Sequence, residues 1–227
     1  MRPEHKRVWA SLTACKDAVI DQVQAEMDRR DPGRMKTRVA VTDGERALQR
    51  RVGATLKGVR LILDLLHVLE YLWKAAYVFH REGSPEAEAW VRERALRILR
   101  GGVGQVVKGL RQSATKRRLR GAKAETVRIV TAYFHRNRGR MRYHEYLAEG
   151  LPIASGAVEG ACKNLVKDRM ERSGMRWTPE MAEAVLQLRA TDRSGDFDAY
   201  WSFHEAQDQE RLFPPNRWHV PAAVVEK

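Results

Sequence analysis

Two short apolar runs, each closed by an aspartate, limit what this chain can fold into more than any other feature. Within 37–67, TRVAVTDGERALQRRVGATLKGVRLILDLLH, Val39 and Val41 alternate with Arg38 and Ala40 and lead into Asp43-Gly44. Further on, Val59, Leu61 and Leu63 alternate with Arg60 and Ile62 and lead into Asp64. Alternation at period two, bounded by turn residues, marks strands. Between the two runs, Leu48, Val52 and Leu56 recur at helical spacing over 45–56, and Lys57-Gly58 turns the chain back. A strand–helix–strand unit with such short connections is expected to be a right-handed parallel crossover. Functional groups of parallel α/β sheets collect at the carboxyl ends of the strands. Asp43 and Asp64 should therefore face one crevice, a place for a metal site.

The rest of the chain reads as helix, so the expected class is α/β and mostly helical. Val8, Leu12, Cys15, Val19, Val23 and Met27 recur every three or four residues, predicting one helix over 4–30 that Asp31-Pro32-Gly33 stops. The run 66–79 is apolar almost all round and should be buried between other helices. Further helices are expected over 86–100, 103–110 and 122–135. Ser155 is a good N-cap for a helix reaching Met170, with Glu159 one turn inside it. The last two helices are placed at 178–190, capped by Thr178, and at 196–211, with Phe197, Tyr200, Trp201 and His204 on one side. The pattern divides into 1–64, 65–150, 151–212 and a tail at 213–227.

Charge points to the partner. Lys and Arg number 42 against 29 acids, a net charge of +13, and such a surface attracts polyanions, nucleic acid first among them. From Arg92 to Arg142 there are sixteen Lys or Arg and two acids, Glu93 and Glu125. The densest cluster holds Arg117, Arg118 and Arg120 near a helix end, where cations also satisfy the helix dipole, but one helix end accounts for few of them. Lys163, Lys167, Arg169, Arg172, Arg176 and Trp177 mix cations with an aromatic, as phosphate contact and base stacking require. No apolar run is long enough to cross a bilayer. The two cysteines, Cys15 and Cys162, form no disulfide framework, and a reducing cytoplasm is the default. Glu159 has two readings at this point, a first-turn acid serving the helix dipole or a third carboxylate at the strand ends.

Five blocks stand in order: Thr42-Asp43-Gly44-Glu45; Leu63-Asp64-Leu65-Leu66-His67 through Trp73; Gly150-Leu151-Pro152-Ile153-Ala154-Ser155-Gly156-Ala157-Val158-Glu159-Gly160-Ala161-Cys162; Lys167-Asp168-Arg169-Met170; and Ser173-Gly174-Met175-Arg176-Trp177. Together they resemble bacterial insertion-sequence transposases of the Mutator-like DDE group, most closely the Kra type. The resemblance implies a ribonuclease-H-like fold with a helical insertion at 65–150. It implies DNA cleavage and strand transfer, with three carboxylates holding two divalent ions, Mg2+ or Mn2+. Asp43 resembles the second of those acids and Glu159 the third. Asp64 and His67 resemble the aspartate–x–x–histidine motif beside the site, where the histidine orients a phosphate or braces the structure. The implied partners are transposon ends and target DNA, with a homo-oligomer and a nucleoid-associated bacterial location.

The resemblance also has a gap. The acid borne by the first strand of such a fold has no counterpart here, because Asp17, Asp21 and Asp28 fall on helical positions. The expectation is therefore a C-terminal portion with catalysis impaired, whose first recognisable strand has an unpaired edge open to association. Two alternatives stand beside the enzyme: a non-catalytic DNA-binding protein or transposition inhibitor, and an unrelated basic helical binder whose acids are structural.

Overall fold

The computed structural model describes residues 4–156, 160, 163–171 and 175–214, Asn164 in its backbone alone. The chain divides into two compact units, Cys15–Glu159 and Met1–Ala14 with Gly160–Lys227. The first unit runs α1 (Lys16–Arg30), β1 (Arg38–Thr42), α2 (Arg46–Thr55), β2 (Val59–Leu63), α3 (Leu65–Phe79), α4 (Pro85–Leu99), α5 (Val103–Lys116), α6 (Gly121–Asn137), a 3-10 turn (Arg138–Arg140) and α7 (Tyr143–Ala148). The fold is mostly helical, with one parallel two-stranded sheet among the described residues.

Register runs from Arg38 opposite Val59 to Thr42 opposite Leu63. The alternation seen in the sequence sorts side chains to two faces. Ala40, Val59 and Leu61 pack with Ile20, Val52 and Leu56 under α1 and α2. Val39, Val41 and Ile62 join the larger core built by α3 to α7. Both faces are therefore covered, as a parallel sheet requires. The large core closes on Leu72, Ile98, Leu110, Phe134, Tyr143 and Tyr146, all but fully buried; a side chain of this size contributes about 1.5–3 kcal/mol when removed from water. Arg38 opens β1 with its guanidinium buried, donating to the Asp31 carbonyl at 2.8 Å and to Asp28 at 3.0 Å, which ties the strand to the end of α1.

The two edges of the sheet differ. Asp64 N–H donates to Thr42 C=O at 2.8 Å, so Thr42 faces β2 and the backbones of Val39 and Val41 face away. No strand lies beyond them among the described residues. On β2, the Leu63 carbonyl accepts from the Tyr143 hydroxyl at 2.8 Å, and just beyond it Leu65 N–H donates to Ile153 C=O at 2.9 Å. Burial pushes the Tyr143 phenol well above its ordinary pKa, keeping it a donor. Tyr143→Phe should leave a buried carbonyl without its partner, at a cost of about 1–2 kcal/mol. Calorimetry should show the thermal midpoint lowered by about 5 °C; an unchanged midpoint would mean another donor takes over.

One helix is shorter than the apolar spacing predicts. The expected helix over 4–30 begins only at Lys16, where Cys15 caps α1 by accepting from Ala18 N–H. Upstream, Ser11 Oγ accepts from the amides of Thr13 and Ala14, and Leu12 N–H donates to Glu183 at 2.6 Å. Local bonding by Ser and Thr competes with helix formation, so the period running through Val8 and Leu12 marks docking against another helix, not helix continuation. In 4–14 and 160–214, the described elements are a π-helical turn at Lys163–Lys167 continuing through Asp168–Met170, then α8 (Pro179–Ser194) and α9 (Phe197–Leu212). Thr178 caps α8 and Pro179 opens it, as expected. In α9, Phe197 stacks on Trp201 and Tyr200 on His204, the expected shared side, and no residue of the helix is buried. No helix among the described residues is long and apolar enough to cross a membrane.

Candidate functional site

Asp43 and Asp64 leave the sheet side by side, because the register that pairs Thr42 with Leu63 puts them next in line; adjacent strand backbones lie about 5 Å apart. Their surroundings differ sharply. Asp43 is exposed, and one carboxylate oxygen accepts from Glu45 N–H at 2.9 Å, a turn in which Asp bonds the backbone two residues on. Its backbone is held from below: the Tyr133 hydroxyl, far along the chain on α6, donates to Asp43 C=O at 2.7 Å. Burial, with the neighbouring Tyr71 and Asp43, pushes the Tyr133 phenol upward, so it stays protonated and donating. Tyr71 of α3 lies flat on Tyr133, ring centroids 3.8 Å apart and planes 3° from parallel. Gly44 follows Asp43 at φ +89°, packed so closely under Leu63 and Tyr133 that a Cβ there would lie 2.9 Å from both.

Asp64 is 1 % exposed and fully engaged. Oδ1 accepts from the amides of Leu66 and Ser155, each at 3.1 Å. Oδ2 accepts from the Ser155 hydroxyl and meets His67 Nδ1 at 2.9 Å. Burial raises the carboxyl's pKa, but the bonds from Ser155, His67 and Leu66 outweigh it and hold the group below its usual range. An ionised Asp64 only accepts, so His67 carries its proton on Nδ1 and presents Nε2 from a side chain that is 32 % exposed. Ser155 stands directly before the helical Gly156, where an N-cap is expected, and also donates to the buried carboxylate. Asp64 in turn caps α3 through Leu66 N–H.

As a metal ligand Asp43 fits, with an open carboxylate at a strand end. Asp64 does not, since each of its oxygens already accepts two hydrogen bonds. Among the described residues no group of three or more His, Cys, Asp or Glu side chains is arranged to hold a metal ion. Glu159 lies outside the described residues, as does Arg172.

The cationic candidates also separate. Arg117 donates to the Phe79 carbonyl at the end of α3 at 3.1 Å and sits 5.2 Å from the Phe79 ring centroid, so its charge serves a helix terminus. Arg118 and Arg120 are exposed, with no partner among the described residues. Lys163, Lys167 and Arg176 are exposed, and Arg169 lies 5.6 Å over the Trp177 ring. Tyr133, Tyr143 and Tyr71 were not singled out in the sequence, where their helical spacing reads as ordinary core. Comparison with protein-family models, with curated proteins and with solved structures gives no match.

Proposed function

We propose that the protein acts on DNA as a transposase of the Mutator-like DDE group, cutting and joining phosphodiester strands at the carboxyl ends of β1 and β2 in a ribonuclease-H-like core. The observation that supports this most is the docking of the 151–156 segment onto the acidic strand end. Ser155 bonds Asp64 across 91 positions through both its amide and its hydroxyl, and Ile153 C=O takes the amide of Leu65. Two of the resembling blocks thus meet at one place, beside Asp43.

In this reading Asp43 and Glu159 hold Mg2+ or Mn2+, which when bound activates the attacking hydroxyl and stabilises the leaving oxygen. Asp64 is a positioning residue: it stays ionised under its donors and orients His67. His67, held by Asp64 through Nδ1, orients a phosphate oxygen beside the site or braces the strand end. Tyr133 holds the Asp43 backbone from below. Arg118, Arg120, Lys163, Lys167, Arg169 and Arg176 contact the DNA backbone, and the open edge of β1 supports self-association. A non-catalytic DNA-binding protein is the second reading, favoured by the net charge of +13.

A strand-cleavage assay on labelled duplex DNA with Mn2+ or Mg2+ separates them. Metal-dependent nicking should be weak in the parent chain, which has no counterpart of the first acid, and should fall to the metal-free background in Asp43→Asn and in Glu159→Gln. DNA binding without nicking in any of the three would leave the second reading standing.

A further inference from the structure

The cations of the helical region are not equivalent once their partners are known. On α4, Glu93 pairs with both Arg94 and Arg97, at 3.3 and 3.2 Å, so the groove where Arg97 and Arg100 lie contains its own acid. On α6, Arg128 is taken by Glu125 at 2.5 Å. A different groove, between α5 and the end of α6 with the 3-10 turn that follows it, has no acid in its lining among the described residues. Gly104, Lys108, Arg111 and Gln112 contribute one stripe of α5, spaced four, three and one residues apart, while Val103, Val106, Val107 and Leu110 of the same helix are buried. His135, from the last turn of α6, and Arg138, from the 3-10 turn after it, complete the lining. Lys108, Arg111 and Arg138 are exposed, and their side chains have no ionic or hydrogen-bond partner among the described residues.

Like charges gathered in a concavity without counter-charge repel one another, and an anion relieves that repulsion. Gly104 adds a second observation. A Cβ there would meet nothing within 4 Å, so no packing within the protein calls for a glycine, although glycine weakens a helix. What its bare backbone does leave is room in the groove.

We propose that the groove formed by Lys108, Arg111 and Arg138 binds the phosphate backbone of duplex DNA, as a contact surface separate from the Asp43 strand end. The proposal rests on the reading of the protein as one that acts on DNA. Three cations without a counter-charge among the described residues fit phosphate oxygens, and phosphate contacts carry no sequence information, so binding here is independent of sequence.

The test is the salt dependence of binding to a short random-sequence duplex, followed by fluorescence anisotropy with the full chain. Each phosphate contact contributes about 0.9 to the slope of log affinity against log salt. The triple variant Lys108→Ala, Arg111→Ala, Arg138→Ala should flatten that slope by about 2–3 and weaken binding at low salt about tenfold or more. A charge-matched control, Arg50→Ala, Lys57→Ala, Arg92→Ala, removes three exposed cations outside the groove and should change the slope by less than about one. Gly104→Glu places an acid in the groove, in the first turn of α5 where an acid suits the helix. It should weaken binding without lowering the thermal midpoint. An unchanged slope in the triple variant, or an equal loss in the control, overturns the groove while leaving the DNA reading intact. A parent chain that binds no duplex overturns both.

Discussion

Asp64→Ala is expected to destabilise the protein by about 3 kcal/mol, because it removes an ionised acceptor from four donors at once. Hydrogen bonds to a charged group contribute about 1.5–3 kcal/mol each, but bonds sharing one carboxylate are not additive. The amides of Leu66 and Ser155 lose their acceptor, α3 loses its cap, and the 151–156 segment loses its anchor. Thermal denaturation should show a midpoint about 6–12 °C lower. Asp64→Asn should cost less, since it keeps the shape and one acceptor oxygen; equal losses in the two variants would show that the charge is irrelevant. The pH dependence follows from the direction of the shift. The folded carboxyl is held below its ordinary value of 3.8, so its stabilisation is complete above the ordinary carboxylate range and is lost as pH falls through the lowered value. The gap between parent and Asp64→Ala should therefore be widest near neutral pH and narrow below about pH 4. A gap that widened in acid would refute the assignment.

Gly44→Ala should cost about 2–5 kcal/mol. Part is backbone strain, about 1–2 kcal/mol for a side chain in the left-handed region, at a residue whose φ is +89°. The rest is overpacking, about 1–3 kcal/mol where neighbours cannot yield, since the added Cβ would lie 2.9 Å from Leu63 Cδ1, Tyr133 Cε2 and Tyr133 Oη. Leu63 is fully buried and Tyr133 is clamped by Tyr71, so neither can give way cheaply. The same displacement moves the hydroxyl that holds Asp43 C=O. The variant should therefore lose midpoint temperature and, on the proposed metal site at Asp43, Mn2+ affinity with it, the latter read by titration calorimetry. In a Tyr133→Phe background, where the hydroxyl contact is gone, the added cost of Gly44→Ala should shrink. Full additivity would show that Gly44 and Tyr133 act independently.

Much of this architecture is visible along the chain. The strands at 38–42 and 59–63, their aspartate ends and the crossover helix follow from alternation and turn chemistry, and the parallel pairing from connection length. Helices over 66–79 and 178–190 follow from apolar spacing and caps. The same signal fails at 4–15, where Ser11 Oγ takes the amides of Thr13 and Ala14 and those of Val8 and Leu12 bond Ser194 and Glu183. Periodicity reports that a residue faces something apolar; it does not report whether the backbone there is helical.

What no local pattern carries is which polar groups satisfy one another. Asp43 and Asp64 look alike in the sequence, two acids after two strands. Folding makes one an exposed carboxylate and the other a saturated buried one, because Ser155 and Tyr143 approach β2 from 91 and 80 positions away. The cations divide in the same manner: Arg117 is occupied by the end of α3, while Lys108, Arg111 and Arg138 are left without counter-charge among the described residues. Element type follows from near neighbours in the chain, since backbone bonds and side-chain periods span a few residues. The state of a charge follows from its neighbours in space, and those come from whichever helices the core has packed together.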